Sequence, residues 1–291
     1  MIQDIAPEVF RNQFVPGDHH PDPHDVVFIF DGRTVLCRVL EDGEIVFPRV
    51  ADFAGGLPET PVYLFAIEDP AAEGGHLEFY LLREKDSARA LGDGWQFGNI
   101  RLMRTIHPKD LCFAGMTGFQ LYCWYRDNTF CGRCGGKTVY SDKERAIKCP
   151  SCGNTIYPKV QPAVIIGLTD GDRILMSRYA GREHKGNALL AGFCEIGETA
   201  EETVAREVME EVGLTVTNIR YYKSQPWGIE SDLLLGYYCD VTGAREIRLD
   251  ENELAAARWV QRDDIGQEDS GVSLTAEMIM RFKEHPEEFA S

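Results

Sequence analysis

The feature that most restricts the fold of this 291-residue chain is a pair of C-x-x-C motifs. Cys131-Gly-Arg-Cys134 and Cys149-Pro-Ser-Cys152 are separated by residues 135–148, and a glycine follows each motif. Each motif makes a tight turn that presents two thiolates, and four sulfur ligands saturate a tetrahedral Zn²⁺ ion. Catalytic zinc sites keep an open coordination position, so the sequence predicts a structural zinc ribbon with one ion per chain.

Other interpretations of the nine cysteines fit less well. An odd number in a long chain argues against the disulfide framework of a secreted protein. A thioredoxin-like redox motif has one C-x-x-C at a helix N-terminus, whereas this chain has two matched motifs. Because zinc ribbons often bind nucleic acid, a zinc-ribbon binding module remains a second class of function.

The charge of the chain favours a metal site over a broad nucleic-acid or membrane surface. Lys and Arg total 30 against 47 for Asp and Glu, which gives a net charge of -17. Such a surface repels phosphate backbones and anionic lipid. An acidic protein that acts on an anion needs local positive charge, which a divalent cation usually supplies. The N-terminal sequence lacks signal-peptide features and no stretch is apolar enough to span a bilayer, so we expect a cytoplasmic protein.

Hydrophobic patterning divides the chain into three predicted regions. Residues 1–125 contain short β-rich runs broken by turn signals, which predict a small antiparallel meander, and they lead into a helix over about Lys109–Asn128. Residues 126–156 hold the cysteine motifs, and residues 157–291 form a predicted α/β domain. In that domain we expect strands at 162–168, 173–178, 215–222, 233–241 and 257–261, helices at 200–212 and 274–285, and a loop rich in glycine and charge before the first helix.

Glutamates cluster on the first of these helices. Thr199 and Glu202 form a capping box, and Gly213 is a typical C-terminal stop. The helix places three glutamates within one turn, beside its buried valine stripe: Glu207, Glu210 and Glu211. Like charges at these spacings destabilise a helix by about 0.2–0.5 kcal/mol per pair, and bound Mg²⁺ or Mn²⁺ would offset that cost. Taken alone, the cluster also fits a plain solvated acidic face.

The surrounding pattern resembles the Nudix box, G-x(5)-E-x(7)-R-E-U-x-E-E-x-G-U, in which U is apolar. The fixed positions are matched by Gly192, Glu198, Arg206, Glu207, Val208, Glu210, Glu211, Gly213 and Leu214. The resemblance implies an α/β/α sandwich with a mixed sheet that hydrolyses a nucleoside diphosphate linked to another moiety. It implies three catalytic glutamates, of which Glu207 and Glu211 bind metal and Glu210 holds or activates the attacking water. Glu198 and Arg206 would order the loop.

A wider set of segments resembles the NADH pyrophosphatase family, some members of which also remove NAD caps from RNA. The segments are the zinc ribbon, WYRDNTFCGRCG at 124–135, YPKVQPAVI at 157–165, LAGFCEIGE at 190–198 and SQPW at 224–227. This resemblance implies cleavage of NAD(H) to NMN(H) and AMP with Mg²⁺ or Mn²⁺. It also implies a homodimer, with NADH, NAD⁺ and the 5′ end of NAD-capped RNA as substrates.

The same family resemblance implies a metal and substrate pocket. Ala191 would offer a backbone carbonyl to the catalytic metal, and Glu253 would add a carboxylate from a loop. The implied contacts with the dinucleotide are Tyr157, Phe193, Gln225, Trp227 and Ala276, the last through its main chain. Alternatives stay open: the two aromatic residues Tyr157 and Phe193 also fit a protein core, Trp227 fits a packing role, and Glu253 fits a plain acidic surface.

Two positions depart from the family pattern. The family continues Pro-Phe-Pro after SQPW, but this chain has Gly228, Ile229 and Glu230, followed by an acidic Asp232. Without the prolines we expect a more flexible loop and a weaker preference for NADH. Gln161 stands where family members commonly have Asp. The alternatives are therefore a pyrophosphatase for ADP-ribose or another linked nucleoside diphosphate, or a zinc-ribbon binding module with a degenerate Nudix domain.

Overall fold

The computed structural model describes residues 1–17, 19–70, 75–180, 188–250, 252–267 and 271–289. Its contacts group the chain into two units. The C-terminal unit comprises Met1, Val160–Pro226 and Asp232–Ser291, and the N-terminal unit comprises Ile2–Lys159 and Trp227–Ser231. The units divide at 159/160, next to the predicted boundary at 156/157.

The N-terminal unit is built on a mixed β-sheet. Its strands are β1 (Val9–Arg11), β2 (Val26–Asp31), β3 (Thr34–Val39), β4 (Ile45–Val46), β5 (Val62–Glu68), β6 (His76–Leu82) and β7 (Gln96–Asn99). The strand order is β1-β5-β6-β2-β3-β4, and β7 also pairs with β3. β2 and β6 are parallel, so the predicted antiparallel meander is wrong. Residues 26–30 of β2 are all buried, so both faces of this strand are covered. In the sheet β2 lies between β6 and β3.

One long helix, α1 (Lys109–Asp127), packs against β2, β5 and β6 and confirms the predicted helix. Gly118 permits this close packing, because a Cβ there would lie 2.7 Å from the ring of Phe28. The helix is followed by a small antiparallel sheet in the order β10-β9-β8, formed by β8 (Val139–Tyr140), β9 (Ile147–Lys148) and β10 (Thr155–Ile156).

The C-terminal unit contains a second mixed sheet and two helices. Its elements are β11 (Gln161–Asp170), β12 (Arg173–Tyr179), β13 (Leu190–Phe193), α2 (Ala200–Val212), β14 (Thr215–Trp227), β15 (Asp232–Thr242), β16 (Leu254–Gln261) and α3 (Leu274–Glu284). The order is β14-β15-β11-β12-β16, and β13 pairs with β11. β11 and β15 are parallel, whereas β11 pairs with β12 and β13 in antiparallel fashion. Short 3-10 helices in the chain span Val50–Asp52, Lys85–Ala90, Ile100–Arg104, Arg262–Asp264 and Pro286–Glu288.

Alternate residues of β11 pack under different helices. Val164 and Ile166 share a buried cluster with Val204 and Val208 of α2. Ile165 belongs to a separate cluster that contains the buried face of α3. Since neighbouring strand residues point to opposite faces, α2 and α3 cover the two sides of the sheet. The predicted α/β/α sandwich with a mixed sheet is confirmed.

Most predicted elements of this unit are present. Helix α2 has the predicted bounds, and α3 ends one residue before the predicted end. Strand β13 was not predicted, because a four-residue segment gives too little periodicity to recognise. The predicted glycine-rich loop falls mainly on residues 181–187, outside the described residues. In the described part of the chain, the apolar stretches of the helices are too short to cross a bilayer.

Candidate functional site

Helix α2, which carries the glutamates, is fixed at both ends. The Thr199 hydroxyl accepts the Glu202 N–H at 3.2 Å, and the Glu202 carboxylate accepts the Thr199 N–H at 2.8 Å. Gly213 ends the helix with φ +67°, and its N–H donates to the Met209 carbonyl at 3.0 Å. This backbone conformation favours glycine. The predicted capping box and stop signal are both confirmed, so the helical positions of the glutamates are well defined.

Arg206 joins α2 to strand β13 and to three carboxylates. Its Nε donates to Glu198 Oε1 at 2.7 Å, and its Nη2 donates to the Phe193 carbonyl at 2.9 Å. Its Nη1 donates to Glu207 Oε1 at 2.8 Å and to Glu210 Oε2 at 2.9 Å. A guanidinium group suits this task because its donors are held in one plane. Arg206 therefore sets the distance between the helix and the end of β13.

The carboxylate of Glu198 is held by hydrogen bonds in and next to the loop before α2. Its carboxylate accepts from the hydroxyl of Thr203 at 2.9 Å and from the N–H of Glu195 at 3.2 Å. The hydrogen bonds from Arg206, followed by these donors, lower the pKa of Glu198 to about 2. Its charge and lone pairs are thus used in ordering the loop.

Gly192 brings the backbone of β13 against Glu207. A Cβ at position 192 would lie 1.9 Å from the carboxyl carbon of Glu207, closer than any non-bonded contact permits. Gly192 is paired with Val164 of β11, so the strand is held in place from its other edge. Glycine is required here for close approach and not for an unusual φ.

Glu207 and Glu211 lie on the buried side of α2, whereas Glu210 is exposed. Glu211 is only 1% exposed, so the alternative of a plain solvated acidic face does not hold for this residue. The reason is that positions 207, 208, 211 and 212 share one helix face, which packs towards the sheet. Burial raises the pKa of Glu207, Arg206 opposes this, and the charges of Glu210 and Glu253 raise it further. Glu253 is therefore close enough to act on Glu207.

This arrangement fits a hard divalent cation. Two carboxylates are buried on one helix face, and buried anions need a compensating charge. Oxygen ligands of this kind are those that Mg²⁺ and Mn²⁺ prefer. In the described residues the glutamate oxygens do not converge as a compact group of three, and the guanidinium of Arg206 lies between Glu207 and Glu210. The Ala191 carbonyl lies on the same strand as Gly192 and is 3.5 Å from the hydroxyl of Tyr179.

The four predicted zinc ligands are brought together in the N-terminal unit. All four sulfur atoms of Cys131, Cys134, Cys149 and Cys152 lie within 4.8 Å of one another. Gly135 and Gly153 adopt φ of +72° and +71°, and their N–H groups donate to the carbonyls of the first cysteine of each motif. Backbone N–H groups of Arg133 and Cys134 lower the pKa of Cys131 to about 6, which favours the thiolate that zinc binds.

The predicted aromatic contacts are both on the surface of their units. Tyr157 is 59% exposed and Phe193 is 53% exposed, so neither is a core residue. The Tyr157 hydroxyl lies 3.3 Å from the carboxylate of Glu144. Phe193 is the last residue of β13, and Arg206 holds its carbonyl. Each ring is available to stack on a planar group.

Gln225 is used inside the C-terminal unit. It is 0% exposed; its Nε2 donates to the Val272 carbonyl at 2.9 Å, and its Oε1 accepts the Leu274 N–H at 2.8 Å. Both ends of its side-chain amide are therefore engaged within the unit. Gln225 positions the start of α3, where the Ala276 N–H donates to the Ser273 hydroxyl at 3.3 Å.

The loop after Trp227 packs against residues that are distant in sequence. A Cβ at Gly228 would lie 2.3 Å from the Met116 carbonyl oxygen, and Ile229 is 4% exposed. Glu230 forms an ion pair with Arg33 at 2.8 Å. These contacts are made by residues far away in sequence, so the local sequence of the loop does not predict them.

Both acids of this segment have partners. The guanidinium of Arg101 lies 3.7 Å from Glu230, in addition to Arg33. Asp232 begins β15 and is buried, and its Oδ1 accepts from Gln161 at 3.2 Å. Trp227 is half-buried, with the guanidinium of Arg104 5.5 Å from its ring centroid. These contacts fit the packing alternative for Trp227.

Two family models match parts of this chain. A NUDIX domain model matches residues 159–282, and an NADH pyrophosphatase zinc ribbon domain model matches residues 126–157. The match to the NUDIX model follows the match to the zinc ribbon model along the chain. The matched box includes the Arg206 cluster, and the matched ribbon includes the four cysteines.

Curated relatives resemble both matched domains. The chain is 38% identical over 168 residues to the NAD-capped RNA hydrolase NudC of Klebsiella pneumoniae subsp. pneumoniae, covering 58% of this chain and 65% of that protein. It is 40% identical over 152 residues to the protein of the same name from Pectobacterium atrosepticum, covering 52% and 57%. The matches thus span less than two thirds of these relatives' lengths.

Among solved structures, a NUDIX hydrolase from Nitrosomonas europaea aligns with 55% of this chain and 93% of its own. That alignment has a TM-score of 0.48 and 21% sequence identity.

Several residues that organise the site carry no clear sequence signal. Thr203 and the Glu195 N–H hold Glu198, and Arg33 holds Glu230. Thr203 and Glu195 lie within a few residues of Glu198 in the box, so a search around the helix start could have found them. No local sequence signal marks Arg33 as the partner of Glu230.

Proposed function

We propose that the protein is a divalent-cation-dependent NUDIX hydrolase that cleaves the pyrophosphate bond of NAD(H), giving NMN(H) and AMP, and removes NAD caps from RNA. The observation that carries the proposal is the Arg206-centred carboxylate cluster between α2 and β13. The NAD substrate class is supported by the names of the relatives and of the zinc ribbon model.

The chain's own residues divide the work of hydrolysis. Glu207 and Glu211 would hold Mg²⁺ or Mn²⁺, with Glu253 and the Ala191 carbonyl as further ligands. The bound ion neutralises phosphoryl oxygens and lowers the pKa of water. Glu210, the exposed glutamate of the three, accepts the proton as water oxygen bonds to phosphorus and the bond to the bridging oxygen breaks. Arg206 fixes the Glu210 carboxylate for this role.

Recognition of the dinucleotide rests on exposed aromatic rings and on α3. Stacking of a planar base on Phe193 or Tyr157 would contribute about 0.5–1.5 kcal/mol beyond the area buried. Gln225 acts through the main chain of α3 and so places Ala276. Because Glu230 is paired with Arg33, its charge would oppose an anionic substrate less than the charge of an unpaired glutamate.

The decisive experiment compares kcat/KM for NADH, NAD⁺, ADP-ribose and NAD-capped RNA, each with Mg²⁺ and with Mn²⁺. We expect measurable conversion of NADH to NMNH and AMP. Rapid turnover of ADP-ribose without NADH cleavage would replace the proposal by an ADP-ribose pyrophosphatase. A protein that folds but hydrolyses none of the substrates would instead be a zinc-ribbon module with a degenerate NUDIX domain.

We further propose one structural Zn²⁺ per chain, a homodimer and a cytoplasmic location. The cysteine cluster supports the zinc ion. Metal analysis and light scattering of the purified protein test the stoichiometry of zinc and of subunits.

A further inference from the structure

A second cluster of metal-binding side chains lines a cavity in the N-terminal unit, and it includes no cysteine of the zinc ribbon. The cavity has a volume of about 270 Å³. Imidazoles and carboxylates dominate its lining: His20, Asp22, His24, Asp25, His76 and Glu78. The proposed hydrolysis uses none of these residues.

Asp25 is the fixed point of the cavity. It is buried, its Oδ2 accepts the Asp22 N–H at 2.7 Å, and its Oδ1 accepts the Glu78 N–H at 3.0 Å. These bonds join the turn before β2 to strand β6. His24 Nε2 lies 3.9 Å from Asp25 Oδ1, and Arg49 holds the His24 carbonyl at 2.9 Å.

A second pair of ligand atoms faces the same space. His76 Nε2 lies 3.3 Å from Glu78 Oε1, and His24 Nε2 lies 3.3 Å from the carbonyl oxygen of His76. Neighbouring ligands of one tetrahedral ion, each about 2.0–2.2 Å from the metal, are separated by similar distances. In the described residues no three of these ligand atoms lie within 4.8 Å of one another. Side chains would therefore have to rotate before three of them could bind the same ion. Both imidazoles are about half exposed, which leaves them room to turn.

The charges around the cavity favour a cation. Burial raises the pKa of Tyr63, and the charges of Glu78 and Asp25 raise it further, while Arg145 acts in the opposite sense. Imidazole nitrogen next to carboxylate oxygen suits Zn²⁺ and its transition-metal neighbours better than Mg²⁺.

We propose that His24, His76 and Glu78, beside the fixed carboxylate of Asp25, form a site for a divalent transition-metal ion of the Zn²⁺ class. An ion there ties the turn at residues 22–25 to the start of β6. Because such an ion binds only when these segments are folded together, it stabilises the N-terminal unit.

The test is a titration with Zn²⁺, starting from protein whose zinc ribbon already holds one ion. Excess Mg²⁺ is present throughout, so that sites made only of oxygen ligands are occupied by Mg²⁺. We expect one further equivalent of Zn²⁺ by calorimetry. In the double variant His24→Ala/His76→Ala this second affinity should fall at least about 10-fold, with the ribbon zinc and the far-UV circular dichroism unchanged.

The matched control is His285→Ala, because His285 belongs to a separate group with Glu287 and Glu288. It should bind the second ion like the wild type. Absence of a second equivalent, unchanged affinity in the double variant, or loss of the ion in His285→Ala would each overturn the proposal. A NADH assay in Mg²⁺ is expected to give equal rates for all variants, so failure of this site is separable from failure of the proposed function.

Discussion

Arg206 is the residue on which the geometry of the glutamates depends most directly. One planar group contacts Glu198, Glu207, Glu210 and the Phe193 carbonyl. Lysine keeps the charge but lacks the fork of donors. We predict that Arg206→Lys lowers kcat/KM by about 10–100-fold, the range seen when residues that orient metal ligands are replaced.

The matching control is Arg258→Lys, an exposed position on β16, which should leave kcat/KM unchanged. Steady-state kinetics at several Mg²⁺ concentrations measures both variants. Wild-type kinetics for Arg206→Lys would show that charge alone suffices and that the hydrogen bonds in the structure are dispensable.

Glu198 gives the site a defined dependence of stability on pH. Its pKa is lowered from 4.5 to about 2, so its stabilising contribution is complete above about 4.5 and is lost as the pH falls towards 2. The free energy of unfolding should therefore differ between wild type and Glu198→Gln by a constant amount from pH 7 to about 5. Below about 4.5 this difference should shrink.

Urea denaturation at a series of pH values measures the difference. Glu284→Gln, at an exposed position of α3, serves as the control with a small and constant effect. A wild-type to Glu198→Gln difference that stays the same down to pH 3 would contradict the ion pair with Arg206.

The position of strand β13 depends on close contact between its Gly192 and Glu207 of α2. Gly192→Ala would place a Cβ 1.9 Å from the Glu207 carboxyl carbon, so Glu207 or the strand must move. Displacement of about 1 Å in a reacting arrangement costs about 100-fold in rate, and we predict a fall in kcat of that order. Gly266→Ala is the control in the same unit, because its Cβ would meet open space. Equal kcat for the two variants would refute the close-contact argument.

The loop after Trp227 gives a prediction opposite to the one its sequence suggested. Replacing Gly228, Ile229 and Glu230 by Pro-Phe-Pro would restore the family pattern, but a side chain at 228 meets the Met116 carbonyl at 2.3 Å. It would also remove the ion pair with Arg33. We expect a lower melting temperature than in Glu230→Gln, which removes the charge alone. A replacement loop that melts at the wild-type temperature would mean that the position of Gly228 is not constrained.

Elements whose signals are local were predictable, and contacts between distant segments were not. Helix α2 was predicted to the residue because Thr199, Glu202 and Gly213 act within one turn of its ends. The burial of Glu211 depends on packing against the sheet, and the order in the loop at 228–230 depends on Arg33. The box pattern singled out Glu207, Glu210 and Glu211 as candidates, whereas the hydrogen bonds of Gln225 could not be predicted without knowing where α3 begins.

For the whole molecule, the zinc ribbon should support stability and not chemistry. Cys149 is buried among the four sulfur atoms, and loss of one ligand weakens a site whose binding free energy is also folding free energy. We predict that Cys149→Ser lowers the zinc content by about one ion per chain and the melting temperature by at least about 5 °C. Cys123→Ser, in α1 and outside the cluster, should retain both. Unchanged melting of a zinc-free Cys149→Ser protein would exclude a structural role.

Residues 227–231 interrupt the C-terminal unit but are counted with the N-terminal one. Recombination between homologous genes with a single crossover near position 159 would therefore not exchange intact modules. The hybrid would inherit Glu230 from one parent but its ion-pair partner Arg33 from the other. Only parents that agree at these positions, or a crossover pattern that also transfers the five-residue segment, should yield functional progeny. After natural or laboratory shuffling, we therefore expect the residues at positions 33 and 230 to vary together, although they lie about 200 residues apart in the chain.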